Sequence, residues 1–288
     1  MRVTNRCSKS TEKRNGETVK MRMINEEEVK AIELDMLKQF DVFCQKYNLE
    51  YFLCGGTLLG AIRHKGFIPW DDDIDIAMHR IDYDKMIKLV SEKGIGGNIV
   101  LKCLECKNSE YPFAKLANTK TQINEKYLKT KKNTNIWIDI FPIDIVPDSN
   151  ADLYKISKKI EIYKKLLGIS HSNPLQGKSK GRMIVKLLNY PFIKIYGSER
   201  IAEKIQKAVN KYSVNESNYR MILVWGYGIK EKMEKKVFDS SVEREFEGQL
   251  FPVPIGWDEY LKALYGDYMI LPPIEERRKH DFEAWIDE

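Results

Sequence analysis

The stretch Gly55-Gly56-Thr57-Leu58-Leu59-Gly60-Ala61-Ile62-Arg63-His64-Lys65-Gly66-Phe67-Ile68-Pro69-Trp70-Asp71-Asp72-Asp73-Ile74-Asp75-Ile76 decides how this chain is read. It follows Tyr51-Phe52-Leu53-Cys54, a short apolar run of strand character that breaks at two glycines. Lacking a Cβ, Gly55 and Gly56 let another group approach the main chain closely. Thr57 is placed to cap a short helix through Leu58, Leu59, Ala61 and Ile62. The free N–H groups at such a helix start are a ready seat for phosphate. After a turn at Gly66 and Pro69, Asp73 to Met78 alternates acidic with apolar residues, so Asp73 and Asp75 share one face of a strand. Two adjacent carboxylates repel unless a cation lies between them. Hard oxygen ligands beside phosphate point to Mg²⁺ or Mn²⁺. A solvated acidic turn accounts for Asp71 and Asp72 but not for Ile74 and Ile76 between the acids. The strand therefore has a core face, and its acids line an opening beside the core.

Upstream, residues 1 to 22 are polar, basic and aperiodic, and a flexible tail is expected there. Asn25 with Glu28 forms a capping-box pattern, and Val29, Ile32, Met36, Phe40, Phe43 and Tyr47 recur at helical spacing up to Asn48. Downstream, Asp82 to Val90 reads as a helix, and Val100 to Glu105, Phe113 to Leu116 and Ile136 to Phe141 read as strands. This order predicts an α/β (α+β) fold, a mixed sheet with flanking helices, over residues 23–148. Residues 149–288 are expected to be mainly helical and basic. Leu153, Ile156, Ile160, Tyr163 and Leu167 keep helical spacing, and Trp257 to Tyr265 is a short helix ended by Gly266.

The 288 residues are 43% hydrophobic and 31% charged, as in an ordinary folded protein, with net charge +6. Between Ala151 and Tyr212 there are 14 Lys and Arg against 4 Asp and Glu, a local excess of 14 − 4 = +10 that favours anionic partners. Met183 to Gly197 leans apolar but holds Lys186, Asn189, Pro191 and Lys194, too short and polar a run to span a bilayer. No secretory signal is evident, and a cytoplasmic placement is expected. Cys7, Cys44, Cys54, Cys103 and Cys106 make an odd count without a disulfide framework. Cys103 and Cys106 form a C-x-x-C whose first cysteine falls in an expected strand, with no second pair or nearby paired His, so ordinary buried thiols are expected there and no zinc.

The long first motif resembles the LicD family of phosphotransferases, whose relatives include fukutin-type enzymes, within the nucleotidyltransferase superfamily. Trp137-Ile138-Asp139-Ile140-Phe141-Pro142-Ile143-Asp144 resembles that family's second acidic strand. Phe251-Pro252-Val253-Pro254, Tyr260-Leu261, Tyr265-Gly266-Asp267-Tyr268, Pro272-Pro273 and His280 resemble its C-terminal signature. The resemblance implies that Asp73, Asp75 and Asp139 form the catalytic metal site, with Asp139 completing it or accepting the acceptor's proton. It implies that Gly55, Gly56 and Thr57 contact donor phosphate, with Arg63, His64, Lys65 and Lys115 as candidate cations and His280 helping to position donor or acceptor. It further implies a CDP-linked donor whose phospho-alcohol part moves to a sugar hydroxyl of a surface or lipid-linked glycan, with release of CMP. Phosphocholine is the first expectation; ribitol phosphate and glycerol phosphate are the rivals. The basic segment would suit peripheral contact with the inner face of a membrane. Transfer of a nucleoside monophosphate to a small phospho-compound or to RNA is the alternative, although nucleic acid is not the expected partner.

Overall fold

The computed structural model describes residues 9–14, 17–125, 135–172, 180–212, 216–277 and 282–288. Strands β1 (Lys9–Arg14) and β2 (Glu17–Ile24) pair antiparallel where a flexible tail was expected. The period-2 signal is present in Val19, Met21 and Met23, but the Lys and Arg between them make the segment read as a polar tail. Met21 is wholly buried. Helix α1 (Glu26–Tyr47) starts at Asn25 with a full capping box: Asn25 accepts from the Glu28 N–H, and Glu28 accepts from the Asn25 N–H. It ends at Asn48 in the left-handed region (φ 50) and buries Met36, Leu37, Phe40 and Phe43.

The motif region then forms β3 (Phe52–Leu53), α2 (Gly55–His64), β4 (Asp75–His79) and α3 (Arg80–Lys93). Next come β5 (Ile99–Lys102), β6 (Ala114–Asn118), β7 (Thr121–Glu125) and β8 (Trp137–Val146). Helices α4 (Asn150–His171), α5 (Lys180–Tyr196) and α6 (Ser198–Tyr212) follow. The chain ends with β9 (Tyr219–Met221), β10 (Met233–Glu234), β11 (Ser241–Phe246), β12 (Gln249–Pro254), α7 (Trp257–Tyr265) and β13 (Phe282–Asp287).

The central mixed sheet has seven strands, ordered β10-β9-β8-β4-β3, with β6 also paired to β8 and β5 to β6. The ten-residue β8 organises it. Parallel β4 covers Asp139 to Ile143 on one side; on the other, antiparallel β6 covers Trp137 to Ile140 and β9 covers Asp144 to Val146. This α+β arrangement matches the fold class expected from the sequence. Beyond residue 149 the four helices α4 to α7 are joined by strands: β9 and β10 extend the same sheet, while β11, β12 and β13 lie outside it. A single buried cluster runs from Met36 on α1 to Tyr268 beyond α7, so both halves share a core. A second sheet, β1-β2-β13-β7, joins residues from distant parts of the chain and covers a smaller cluster of Ile24, Val29, Ile123, Ile136 and Ala284.

Candidate active site

Register alone brings three charged residues into one row. Parallel pairing of β4 and β8 sets Asp75 opposite Asp139, and antiparallel pairing of β6 and β8 sets Lys115 opposite Asp139. Directly paired residues share a sheet face, so the order across the strands is Asp75, Asp139, Lys115. Lys115 Nζ lies 2.6 Å from Asp139 Oδ1, with both side chains largely buried. The rings of Trp137, Tyr111 and Phe113 surround this ammonium at 4.3, 4.6 and 5.3 Å to their centroids. Desolvation of this kind strengthens the pair while making each partner costly without the other.

Helix α2 begins against the same acids. Its first turn has no side-chain cap, which leaves its N–H groups and positive dipole end turned to the acidic cluster. Gly55 has φ +54, and a Cβ there would stand 3.2 Å from Asp75 Oδ2; one on Gly56 would stand 2.6 Å from Asp71 Oδ2. Both glycines therefore let carboxylates close onto the helix start. Thr57 is not the cap that its sequence position suggests. It is buried inside the helix, its Oγ1 accepts the Asp75 backbone N–H at 2.8 Å, and its hydroxyl donates to the Asp73 carbonyl at 3.5 Å. It aligns the acids through the backbone.

The acids stand where two cavities meet. One, of about 310 Å³, is lined by Asp73, Asp75 and Asp139 and closed by Trp225, Tyr227 and Glu231. The other is a cleft of about 720 Å³ that shares Asp73, Asp75 and Tyr227 and extends past Gly56, Arg63 and Trp70 to the Tyr265–Pro273 segment. Burial, and then the charges of Asp73, Asp139 and Asp71, push the Asp75 carboxyl well above the usual carboxylate range, with Lys115 opposing. A cation beside such a cluster would favour its ionised form.

The candidate cations divide. Arg63 lines the wider cleft, donates to the Tyr268 carbonyl at 2.7 Å and lies over Trp70 at 5.9 Å. Its Nε donates to His64 Nε2 at 2.9 Å. Burial, then the Arg63 charge, hold the His64 pKa below the ordinary histidine value, so this imidazole is neutral near pH 7. Lys65, in the left-handed region at the end of α2, turns to Glu245 at 3.1 Å and is 72% exposed. It is not gathered with the acids. His280 lies outside the described residues. Strand β5 ends at Lys102, so Cys103 lies just beyond the strand expected to hold it; Cys103 is the buried thiol expected, whereas Cys106 is exposed on the following turn.

Three residues of this region, Glu33, Glu231 and Arg277, escape a sequence reading. Glu33 of α1 is buried beside Asp72 and Asp73, with one carboxylate oxygen lacking a hydrogen-bond partner. Burial first, and then the neighbouring aspartates, raise its pKa strongly. Glu231 accepts from the Tyr260 hydroxyl and from the Tyr227 N–H, each at 2.7 Å, holding the loop that closes the smaller cavity. Tyr227 shares a hydroxyl hydrogen bond of 2.9 Å with Tyr265. Arg277 lies over Trp70 at 4.5 Å, tying the C-terminal segment to the first motif. Glu33 looks like one more acid on an exposed helix start, and Glu231 and Arg277 sit in charge-rich runs. Only Gly226, into whose missing side chain the Glu231 carboxylate packs, hints at the loop.

The donor set suits a hard divalent cation in kind: Asp73, Asp75 and Asp139 line one cavity, and the charges of Asp73 and Asp139 crowd Asp75. Among the described residues, however, no three acidic, histidine or cysteine side chains are already gathered at metal-holding distances. Lys115 draws one oxygen of Asp139 to itself.

The family model described as "LicD/FKTN/FKRP, nucleotidyltransferase domain" matches residues 48–165. The chain is 32% identical over 274 residues to the lipopolysaccharide cholinephosphotransferase LicD of Haemophilus influenzae, covering 92% of this chain and 100% of that one. An uncharacterised protein of Rickettsia prowazekii is 30% identical over 142 residues, 46% of this chain and 50% of its own. One from Rickettsia typhi is 45% identical over 56 residues.

Proposed function

Because the chain belongs to the LicD family and is a transferase, we propose that it moves a phospho-alcohol, phosphocholine first, from a CDP-linked donor to a sugar hydroxyl of a lipopolysaccharide-type glycan. The observation that supports this reading is the row Asp75, Asp139 and Lys115, whose acids line a cavity that shares Asp73 and Asp75 with a wider cleft; the two spaces would take the two substrates. The acceptor oxygen would form a bond to the phosphorus bearing the alcohol, the bond from that phosphorus to the CMP oxygen would break, and CMP would leave with the electron pair. Asp73, Asp75 and Asp139 would hold Mg²⁺ or Mn²⁺, which supplies charge neutralisation at the donor diphosphate. The N–H groups of α2 and the Arg63 guanidinium face the wider cleft and would bind the donor's phosphates. Asp139, paired with Lys115, would complete that metal site or receive the acceptor's proton. Phosphoryl-type transfer depends on such positioning more than on covalent catalysis.

The test offers CDP-choline, CDP-ribitol, CDP-glycerol and CTP in turn, with Mg²⁺, and identifies products by mass spectrometry. CMP release with choline phosphate added to the acceptor, abolished by EDTA and restored by Mg²⁺, is expected. Diphosphate release from CTP with a nucleotide left on the acceptor would replace this reading by nucleotidyl transfer.

A further inference from the structure

The longest run of exposed apolar side chains lies away from the acids, on α5. Ile184, Leu187, Leu188, Phe192, Ile195 and Tyr196 are between 43% and 81% exposed. At about 100° per residue these positions span roughly half the helix circumference, and Ile193, which is buried, falls on the opposite side. The helix thus packs its narrow side onto the molecule and turns its broad apolar side to solvent. Scattered exposed apolar residues are normal, but a contiguous helical face is a binding surface.

Charge selects the occupant. The face is flanked by Lys194, within a segment of net charge +10 between Ala151 and Tyr212. A second copy docked face to face would bring two such positive fields together. An anionic bilayer would cancel the field while burying the apolar side chains. Pro191 sets the depth. It is exposed on the same side, and having no N–H it leaves the Leu187 carbonyl without its helical partner. That carbonyl is tolerated among headgroups and water but not in the hydrocarbon interior. No helix among the described residues is long and apolar enough to cross a membrane. From these observations we propose that α5 is an interfacial helix that lies in the surface of an anionic membrane and holds the enzyme beside a lipid-linked acceptor. The surface argument does not depend on which donor the active site uses.

Co-sedimentation of the full chain with vesicles tests it. The wild type should bind phosphatidylcholine vesicles containing phosphatidylglycerol at about one part in three, bind pure phosphatidylcholine vesicles far less, and release as salt is raised. The triple variant Leu188→Ser, Phe192→Ser, Ile195→Ser should lose at least roughly tenfold in partitioning, since each buried methylene matters, while melting and CMP release with a soluble acceptor stay as in the wild type. Lys194→Glu should weaken binding to the anionic vesicles only. Wild type remaining in the supernatant at low salt, or the triple variant partitioning like the wild type, would overturn the proposal. So would a wild-type dimer that the triple variant turns to monomer without any vesicle binding; the face would then belong to a second copy. If the donor assay fails while vesicle binding holds, the proposed chemistry falls and this surface does not.

Discussion

Asp75 illustrates how much stability the site gives up. Its carboxyl is pressed by burial and by three other aspartates. Asp75→Asn is expected to cut turnover by roughly a thousandfold, the scale of losing one preorganised charge contact, while the melting temperature holds or rises as repulsion is relieved. Activity near the wild-type level would remove Asp75 from the chemistry. Lys115→Met acts oppositely: it strands Asp139 among aromatic rings and should cost about 3 kcal/mol in denaturant unfolding as well as activity, as breaking a buried pair does. Glu231 gives a pH signature. Burial, against the hydrogen bonds from Tyr260 and Tyr227, pushes its pKa from 4.5 to about 7. The folded state then binds this proton more tightly than the unfolded chain. The resulting stability is fully present below about pH 4.5, declines as pH rises, and is lost above about pH 7. Glu231→Gln should remove that decline, so unfolding curves of variant and wild type, normalised at low pH, should diverge between those values; parallel curves would refute the assignment.

On the scale of elements, the motif was legible because its constraints are local: an apolar run, a Gly-Gly break, and alternating acids. Strand β4 and the α2 start follow from them, but β4 begins at Asp75, so Asp73 lies ahead of the strand and not on it, and the row Asp75, Asp139, Lys115 depends on pairing with β8 and β6. Thr57 was assigned the wrong task because a threonine at a helix start usually caps it, whereas here its hydroxyl holds β4 across the gap. Lys65 was grouped with Arg63 by adjacency, but the helix ends between them and the chain turns toward β11. Strand β2 was missed because basic residues alternate with its apolar ones. Gly60 exposes a constraint of packing: a Cβ there would meet the Gly66 carbonyl oxygen at 2.4 Å. Gly60→Ala should therefore destabilise by about 1–3 kcal/mol, the usual cost of forcing backbone apart, read as a lower denaturation midpoint.

For the whole molecule, the chain beyond residue 149 joins the same sheet as the chain before it, because β8 accepts β6 and then β9 along one edge. The loop between β9 and β10 then reaches back to close the cavity over the acids. No local pattern announces such pairings; they depend on which distant strand fills an edge. The smaller sheet is the clearest case. Strand β13 lies between β2 and β7, with Trp285 opposite both Met23 and Gln122. Deleting residues 1–24 removes Met21 and Ile24 from the interior and should cost about 3–6 kcal/mol at roughly 1.5–3 per buried side chain; unchanged melting would show β2 to be dispensable.

That three-way pairing has a consequence for biosynthesis. Strand β2 leaves the ribosome long before β13 exists, so its β13-facing edge waits, unpaired, while most of the protein is being made. The seven-stranded sheet is able to assemble as the chain emerges, but the smaller one closes only after translation has passed residue 287. Nascent chains stalled short of that point should carry an open β2 edge, the kind of surface that holdase chaperones and proteases recognise.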